Sequence, residues 1–192
     1  ARAKAAITRR RALASIISET TMANKFVVMR HPWGWLASGF GSGLSPFAPG
    51  TVGTASALLV YLGLRPFGWM AVAAAAVLAF VLGVFASNWV IAKTGIEDPG
   101  VVVIDEWVGT WITLLPALTL WPMLGYAAPL WLECALAFFA FRLTDILKPW
   151  PASWADRELH GGFGAMADDA IAGVYSALLL CLWPWLAAGR LA

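Results

Sequence analysis

The sequence predicts an all-α protein, a polytopic membrane helical bundle of about five apolar helices. Three observations carry that prediction. Hydrophobic residues make up 60% of the chain and charged ones only 12%, against about 25% charged in ordinary soluble domains. Uncharged runs are long: Pro66–Ala92 covers 27 residues, Trp107–Leu132 covers 26 and Ala170–Gly189 covers 20, and a helix needs roughly 20 such residues to cross a bilayer. Basic residues are also unevenly placed, with seven of the thirteen Lys and Arg in the first 30 positions.

The length of 192 residues suits one domain. We divide it into a basic N-terminal arm, 1–30, and a membrane-embedded domain, 31–192. The arm contains Arg9-Arg10-Arg11. Beside a membrane domain such residues suit anionic lipid on the cytoplasmic side better than nucleic acid, so no nucleic-acid partner is expected. No compact apolar core with a small-residue cleavage site follows the arm, so it does not read as a signal peptide.

Five apolar segments come next, at roughly 51–64, 67–92, 106–124, 129–147 and 169–189. The first is short for a span, with turns from 33–49 available to complete it. Pro116 and Pro122 are expected to bend the third. Alternating the segments across a bilayer, arm inside, leaves eleven Lys and Arg on the inner face. Only Arg65 and Arg190 fall on the outer one, the distribution that the positive-inside rule favours. Trp69, Trp121, Trp131, Trp183 and Trp185 near segment ends read as interfacial anchors. Cys134 and Cys181 sit in apolar runs without metal-ligand spacing and read as small buried hydrophobes. His31 receives no assignment.

The same alternation gathers the polar clusters on the inner face. Asp105-Glu106 opens the third segment, and the bland reading is a helix cap, which explains one carboxylate better than two. The reading is the same for Asp168-Asp169, where the helix is expected to begin, after the glycine-rich stretch from His160. Arg142, Asp145 and Lys148 recur at spacing three, on one helical stripe that Pro149 ends. Snorkelling bases with an ion pair would account for that stripe, yet a carboxylate so close to hydrocarbon is costly enough to suggest function. Five acids gathered at inner helix ends repel one another unless a cation intervenes. Oxygen ligands of this kind suit Mg²⁺, so Asp105, Glu106, Asp145, Asp168 and Asp169 are candidate metal ligands. Arg142, Lys148 and His160 would meet an anionic substrate. The loop Phe40–Thr54 offers backbone N–H groups and the hydroxyls of Ser42 and Thr51 to phosphate oxygens, although it lacks the lysine of a P-loop. An ordinary re-entrant turn is its other reading. Together the clusters suggest metal-assisted phosphate chemistry at a membrane surface.

Four stretches carry a family resemblance: Gly39–Gly53, Ile104–Ile112, Phe141–Pro151 and His160–Gly173. In them, and over about Trp33 to Leu180, the sequence resembles the phosphatidylglycerophosphatase A family of bacterial inner-membrane lipid phosphatases. Departures fall mainly at apolar positions such as Ala165 and Ala167, where larger aliphatic residues are common. The resemblance implies Mg²⁺-dependent hydrolysis of phosphatidylglycerophosphate to phosphatidylglycerol and inorganic phosphate. It also implies a central helix surrounded by others, while the eleven-to-two basic count and the alternation of segments lead us to expect the active site on the cytoplasmic face of the inner membrane. Carried over residue by residue, the acidic site is Asp105, Glu106, Asp145, Asp168 and Asp169. Catalytic roles are expected of Asp105, Asp145, His160 and Asp169, with Arg142 and Lys148 on the substrate. Water and an aspartate both stand as possible nucleophiles. The alternative function is a cation transporter or channel with a carboxylate-lined pathway. Such a pathway needs charge deep within the spans, and Glu133 alone lies near the other face.

Overall fold

In the computed structural model, residues 27–189 are described, so most of the expected arm lies outside the described residues. The chain there forms helices α1 (Pro32–Ala37), α2 (Pro49–Leu64), α3 (Trp69–Thr94), α4 (Ile104–Leu118), α5 (Leu120–Met123), α6 (Leu130–Leu147), α7 (Ala152–Glu158) and α8 (Gly161–Ala187). No strand occurs among the described residues.

Two of these helices, α3 and α8, are long and apolar enough to cross a membrane. The other apolar segments fold as helices but fall short of that test. α2 has 16 residues and α4 has 15; at 1.5 Å per residue they reach about 24 and 22 Å, against a hydrocarbon core of about 30 Å. α6 has 18 residues but includes Glu133, Arg142 and Asp145. The expected third segment is broken at Thr119, directly after the turn that holds Pro116.

α4 lies at the centre, packed against α2, α3, α6 and α8. Ten of its fifteen residues are buried. Indole N–H groups tie it outward: Trp111 donates to the Ala57 carbonyl at 3.0 Å and Trp107 to Ser56 Oγ at 2.8 Å. Trp121 is 2% exposed, with its N–H on the Leu180 carbonyl at 2.9 Å. It belongs to the core and is not an interfacial anchor, whereas Trp69 and Trp131 are exposed.

The tightest helix contact is α4 against α8, and glycine makes it possible. A Cβ on Gly173 would stand 2.6 Å from the Gly109 carbonyl oxygen and 2.8 Å from its Cα, and one on Gly109 would stand 2.7 Å from the Asp169 carbonyl oxygen. Backbone therefore meets backbone. Because the obstacle is main chain, Gly173→Ala must push the helices apart. Overpacking of this kind costs about 1–3 kcal/mol, so the expected result is a lower unfolding midpoint in detergent together with reduced activity.

Candidate active site: a carboxylate-rich cleft

Gly109 and Gly173 have a consequence one helical turn away. Residues four apart share a helix face, so Asp105 lies above Gly109 on α4 and Asp169 above Gly173 on α8. The close crossing brings these carboxylates together. With Glu106 they form a trio whose ligand atoms all lie within 4.8 Å of one another.

α8 begins at Gly161, not at Asp169. That overturns the capping reading for Asp168-Asp169, which sit about two turns inside the helix, 7% and 5% exposed. The start is fixed from outside the segment, since the Gly162 N–H donates to Asn88 Oδ1 of α3 at 2.7 Å. Asp105 keeps part of its capping role and accepts the Glu106 N–H at 3.0 Å.

The trio opens into a cleft of about 510 Å³. Eight carboxylates line it, Glu97, Asp98 and Asp156 in addition to the five expected, against only Arg142, Lys148 and Arg157 as permanent cations. Arg142 Nη1 donates to Asp145 Oδ2 at 2.5 Å, one turn away on the same stripe. Lys148 Nζ bonds Asp168 Oδ2 at 2.7 Å and also pairs with Asp156 of α7. Burial opposes the Lys148 charge, but the two carboxylates outweigh it and raise its pKa above the ordinary lysine value. Three buried polar atoms in the cleft stay without a hydrogen-bond partner: Glu106 Oε2, Asp168 Oδ1 and Arg142 Nε. Buried carboxylate oxygens normally find partners, so these are open for a ligand.

Helix geometry adds positive potential. The N-terminal ends of α2, α4 and α8 all contribute lining residues, namely Pro49 and Gly50, Asp105 and Glu106, and Gly161. Helix N-termini favour negative charge, whether carboxylate or bound phosphate.

The ten site residues expected from sequence separate into three groups. Asp105, Glu106 and Asp169 form the trio. Asp145, Asp168, Arg142 and Lys148 surround it in the same cleft as two ion-paired sets, and His160 lines the exposed rim, with Nδ1 3.0 Å from the Glu158 carbonyl. Ser42 and Thr51 do not line the cleft. The Ser42 hydroxyl donates to the Ser38 and Gly39 carbonyls and accepts from Ser56, which makes it a turn fastener. What the loop delivers is Ala48, Pro49 and Gly50. A Cβ on Gly50 would collide with the Glu106 carboxylate and come within 3.1 Å of Arg142 Nη1. Sequence reasoning passed over Asp156 and Gly50. Asp156 was legible as an acid eight residues beyond Lys148, on the loop expected at the inner face. His31, unassigned from sequence, stacks on Trp89 at 4.5 Å and caps α1.

Comparison with known proteins decides the family. The sequence profile described as phosphatidylglycerophosphatase A matches residues 35–183. The chain belongs to that family. It is 38% identical over 169 residues to phosphatidylglycerophosphatase A of Escherichia coli strain K12, covering 85% of this chain and 92% of the relative. Against phosphatidylglycerophosphatase A of Haemophilus influenzae it is 36% identical over 159 residues, covering 81% and 91%. A Bacteroides thetaiotaomicron protein, provisionally named a phosphatidylinositol-3-phosphatase, is 40% identical over 159 residues, covering 78% and 92%. No solved structure matches. All eight cleft residues expected from sequence fall within the family match.

Proposed function

We propose that the protein is a Mg²⁺-dependent phosphomonoesterase that hydrolyses phosphatidylglycerophosphate to phosphatidylglycerol and inorganic phosphate. We place it in the bacterial inner membrane, as a multi-pass protein with the cleft facing the cytoplasm. One observation carries the reading: a carboxylate trio and the bases Arg142 and Lys148 share a single cleft at one end of an apolar helical bundle. Family membership supplies the substrate class. Helices α3 and α8, long and apolar enough to cross a membrane, and the asymmetry of basic residues support the location.

The trio fits a divalent cation of hard character. It offers oxygen ligands only, its ligand atoms are close together, and Glu106 Oε2 is buried without a partner. Asp105, Glu106 and Asp169 would hold Mg²⁺, with Asp145 and Asp168 beside them. Bound there, the ion would screen the substrate's negative charge and stabilise charge that develops on phosphate oxygens.

The chain's own residues supply the rest. Arg142 would clamp two phosphate oxygens, held in orientation by Asp145. Lys148, between Asp156 and Asp168, adds a point charge at the cleft wall. Water attacks phosphorus as the bond to the glycerol oxygen breaks, and His160 at the rim protonates that leaving oxygen. The attacking water's proton passes to the phosphate product. Stereochemistry at phosphorus tests the nucleophile: with a phosphorothioate analogue made chiral by oxygen isotopes, inversion supports one direct displacement by water, and retention indicates two displacements through an aspartyl-phosphate.

A cation pathway fits less well. Among the described residues no acid lies between the cleft and Glu133 at the far end of the bundle. The deciding experiment is phosphate release in detergent from phosphatidylglycerophosphate, and separately from a phosphoinositide, each with and without Mg²⁺. Release confined to phosphatidylglycerophosphate with Mg²⁺ is expected. Metal-independent release, or preference for the inositol lipid, would overturn the reading.

Arg142→Lys tests the clamp. The charge stays but the planar fork is lost. A charge-assisted bond is worth about 1.5–3 kcal/mol, so kcat should fall about ten- to a hundredfold. The Mg²⁺ concentration giving half-maximal activity should stay near that of the wild type. A shift in that concentration with kcat preserved would assign Arg142 to the ion instead.

A further inference from the structure

Below the cleft, α6 and α8 leave between them an apolar groove of about 320 Å³, walled by Leu143, Leu147, Leu178 and Leu182. All four leucines are exposed. The helices meet beneath it through Thr144, whose Oγ1 lies 2.6 Å from Ser176 Oγ and donates to the Ala172 carbonyl at 3.0 Å. The other hydroxyl of the groove, on Tyr175, donates to the Trp150 carbonyl at 2.8 Å. Both hydroxyls are therefore committed within the protein. A peptide backbone placed here would lose hydrogen bonds to water with no replacement, whereas hydrocarbon would lose none.

Lys148 joins the groove to the cleft. It ends α6 in the left-handed region, φ 41°. Lys148 lines the cleft, while its neighbours Leu147 and Pro149 both line the groove. The apolar groove thus begins beside a cation that lines the cleft. A cationic head position continuous with an apolar tail position has the polarity of a phospholipid. The second apolar groove, between α3 and α4, contains no residue adjacent in sequence to one lining the cleft.

We propose that the α6–α8 groove binds one acyl chain of the lipid whose phosphate occupies the cleft, so that the substrate is aligned by its tail as well as its head. This rests on the lipid-phosphatase reading above. Leu178→Trp and, separately, Leu143→Trp fill the groove without touching the cleft. For each variant, kcat/KM is measured on phosphatidylglycerophosphate with long acyl chains and with short ones. The long-to-short ratio is expected to fall about tenfold, because losing apolar contact with even a few methylenes is worth at least that much in affinity. Short-chain turnover should match the wild type, which shows that fold and cleft are intact. Should the tryptophan variants not fold, Leu178→Gln keeps the size, places an amide on the wall and must lower the same ratio. An unchanged ratio in the folded variants overturns the proposal. So does an unchanged ratio accompanied by loss of a dimer in detergent, which would give the groove to a second copy of the chain. Failure of the wild type to release phosphate from either lipid would instead overturn the phosphatase reading.

Discussion

Asp169→Asn is expected to remove phosphatase activity while leaving the protein folded. Asp169 is buried on α8 within reach of Asp105 and Glu106. Asn keeps its shape but supplies a neutral, weaker ligand. Altering a group that merely supports a metal ligand costs about 10–100-fold, so replacing a ligand should cost more than about 100-fold in kcat/KM. Stability should move the other way. Without a divalent cation the trio's charges repel one another in a buried space, and removing one relieves that. Thermal unfolding in detergent should show a metal-free variant at least as stable as the wild type. Millimolar Mg²⁺ is expected to stabilise the wild type and not the variant, because a ligand that binds only the folded state raises stability by mass action. Wild-type turnover in the variant, or an undiminished Mg²⁺ shift, would sink the assignment.

Arg65→Ala should produce the largest loss of stability without lowering the intrinsic rate. Glu133, at the start of α6, is 2% exposed. It accepts from the Tyr61 hydroxyl and from Arg65, whose Nη2 lies 3.0 Å away and whose side chain is 39% exposed. The Glu133 carboxylate in turn raises the pKa of Arg65. The two partners are unequal in what their loss leaves behind. Without Arg65 the carboxylate stays buried with only a phenol, and stranding a buried charge costs about 3–5 kcal/mol. Without Glu133 the guanidinium can turn to water, and a screened, exposed charge costs far less. Denaturant or thermal unfolding should therefore rank Arg65→Ala below Glu133→Gln, with both below the wild type. At a temperature where the folded fraction is high, kcat should be unchanged, because α2 separates Arg65 from Gly50 by about 22 Å of helix. The reverse order of stability would mean that solvent already reaches Glu133.

Helix content was legible wherever apolar runs were long, since burying uncharged backbone leaves little choice but a helix. The acidic cluster was legible for a related reason: charge beside hydrocarbon is expensive, so Asp145 and Asp169 drew notice. Span lengths were not. Counting apolar residues joined α4 to α5, although Thr119 breaks them, and it began α8 at Asp169, although Asn88, some 70 residues upstream, supplies a partner for the Gly162 N–H. A long-range hydrogen bond leaves no periodic trace. The pairing of Asp105 with Asp169 did leave one, in the shared spacing Asp-x-x-x-Gly at 105–109 and 169–173. Ser42 and Thr51 lie off the cleft, Ser42 because its hydroxyl serves a turn, as hydroxyls in glycine-rich loops readily do, and Thr51 within the first turn of α2.

The glycine crossing also bears on how the site works. Asp105 and Asp169 project from helices locked main chain to main chain one turn below, with no intervening side chain to change rotamer. Their separation is therefore set before substrate arrives, and little free energy need be spent on reorganising them as charge develops. An enzyme built this way does not wait for a loop to close before its acids are in place. Its rate should be sensitive to half-ångström changes in helix spacing and indifferent to the length of loops remote from the cleft.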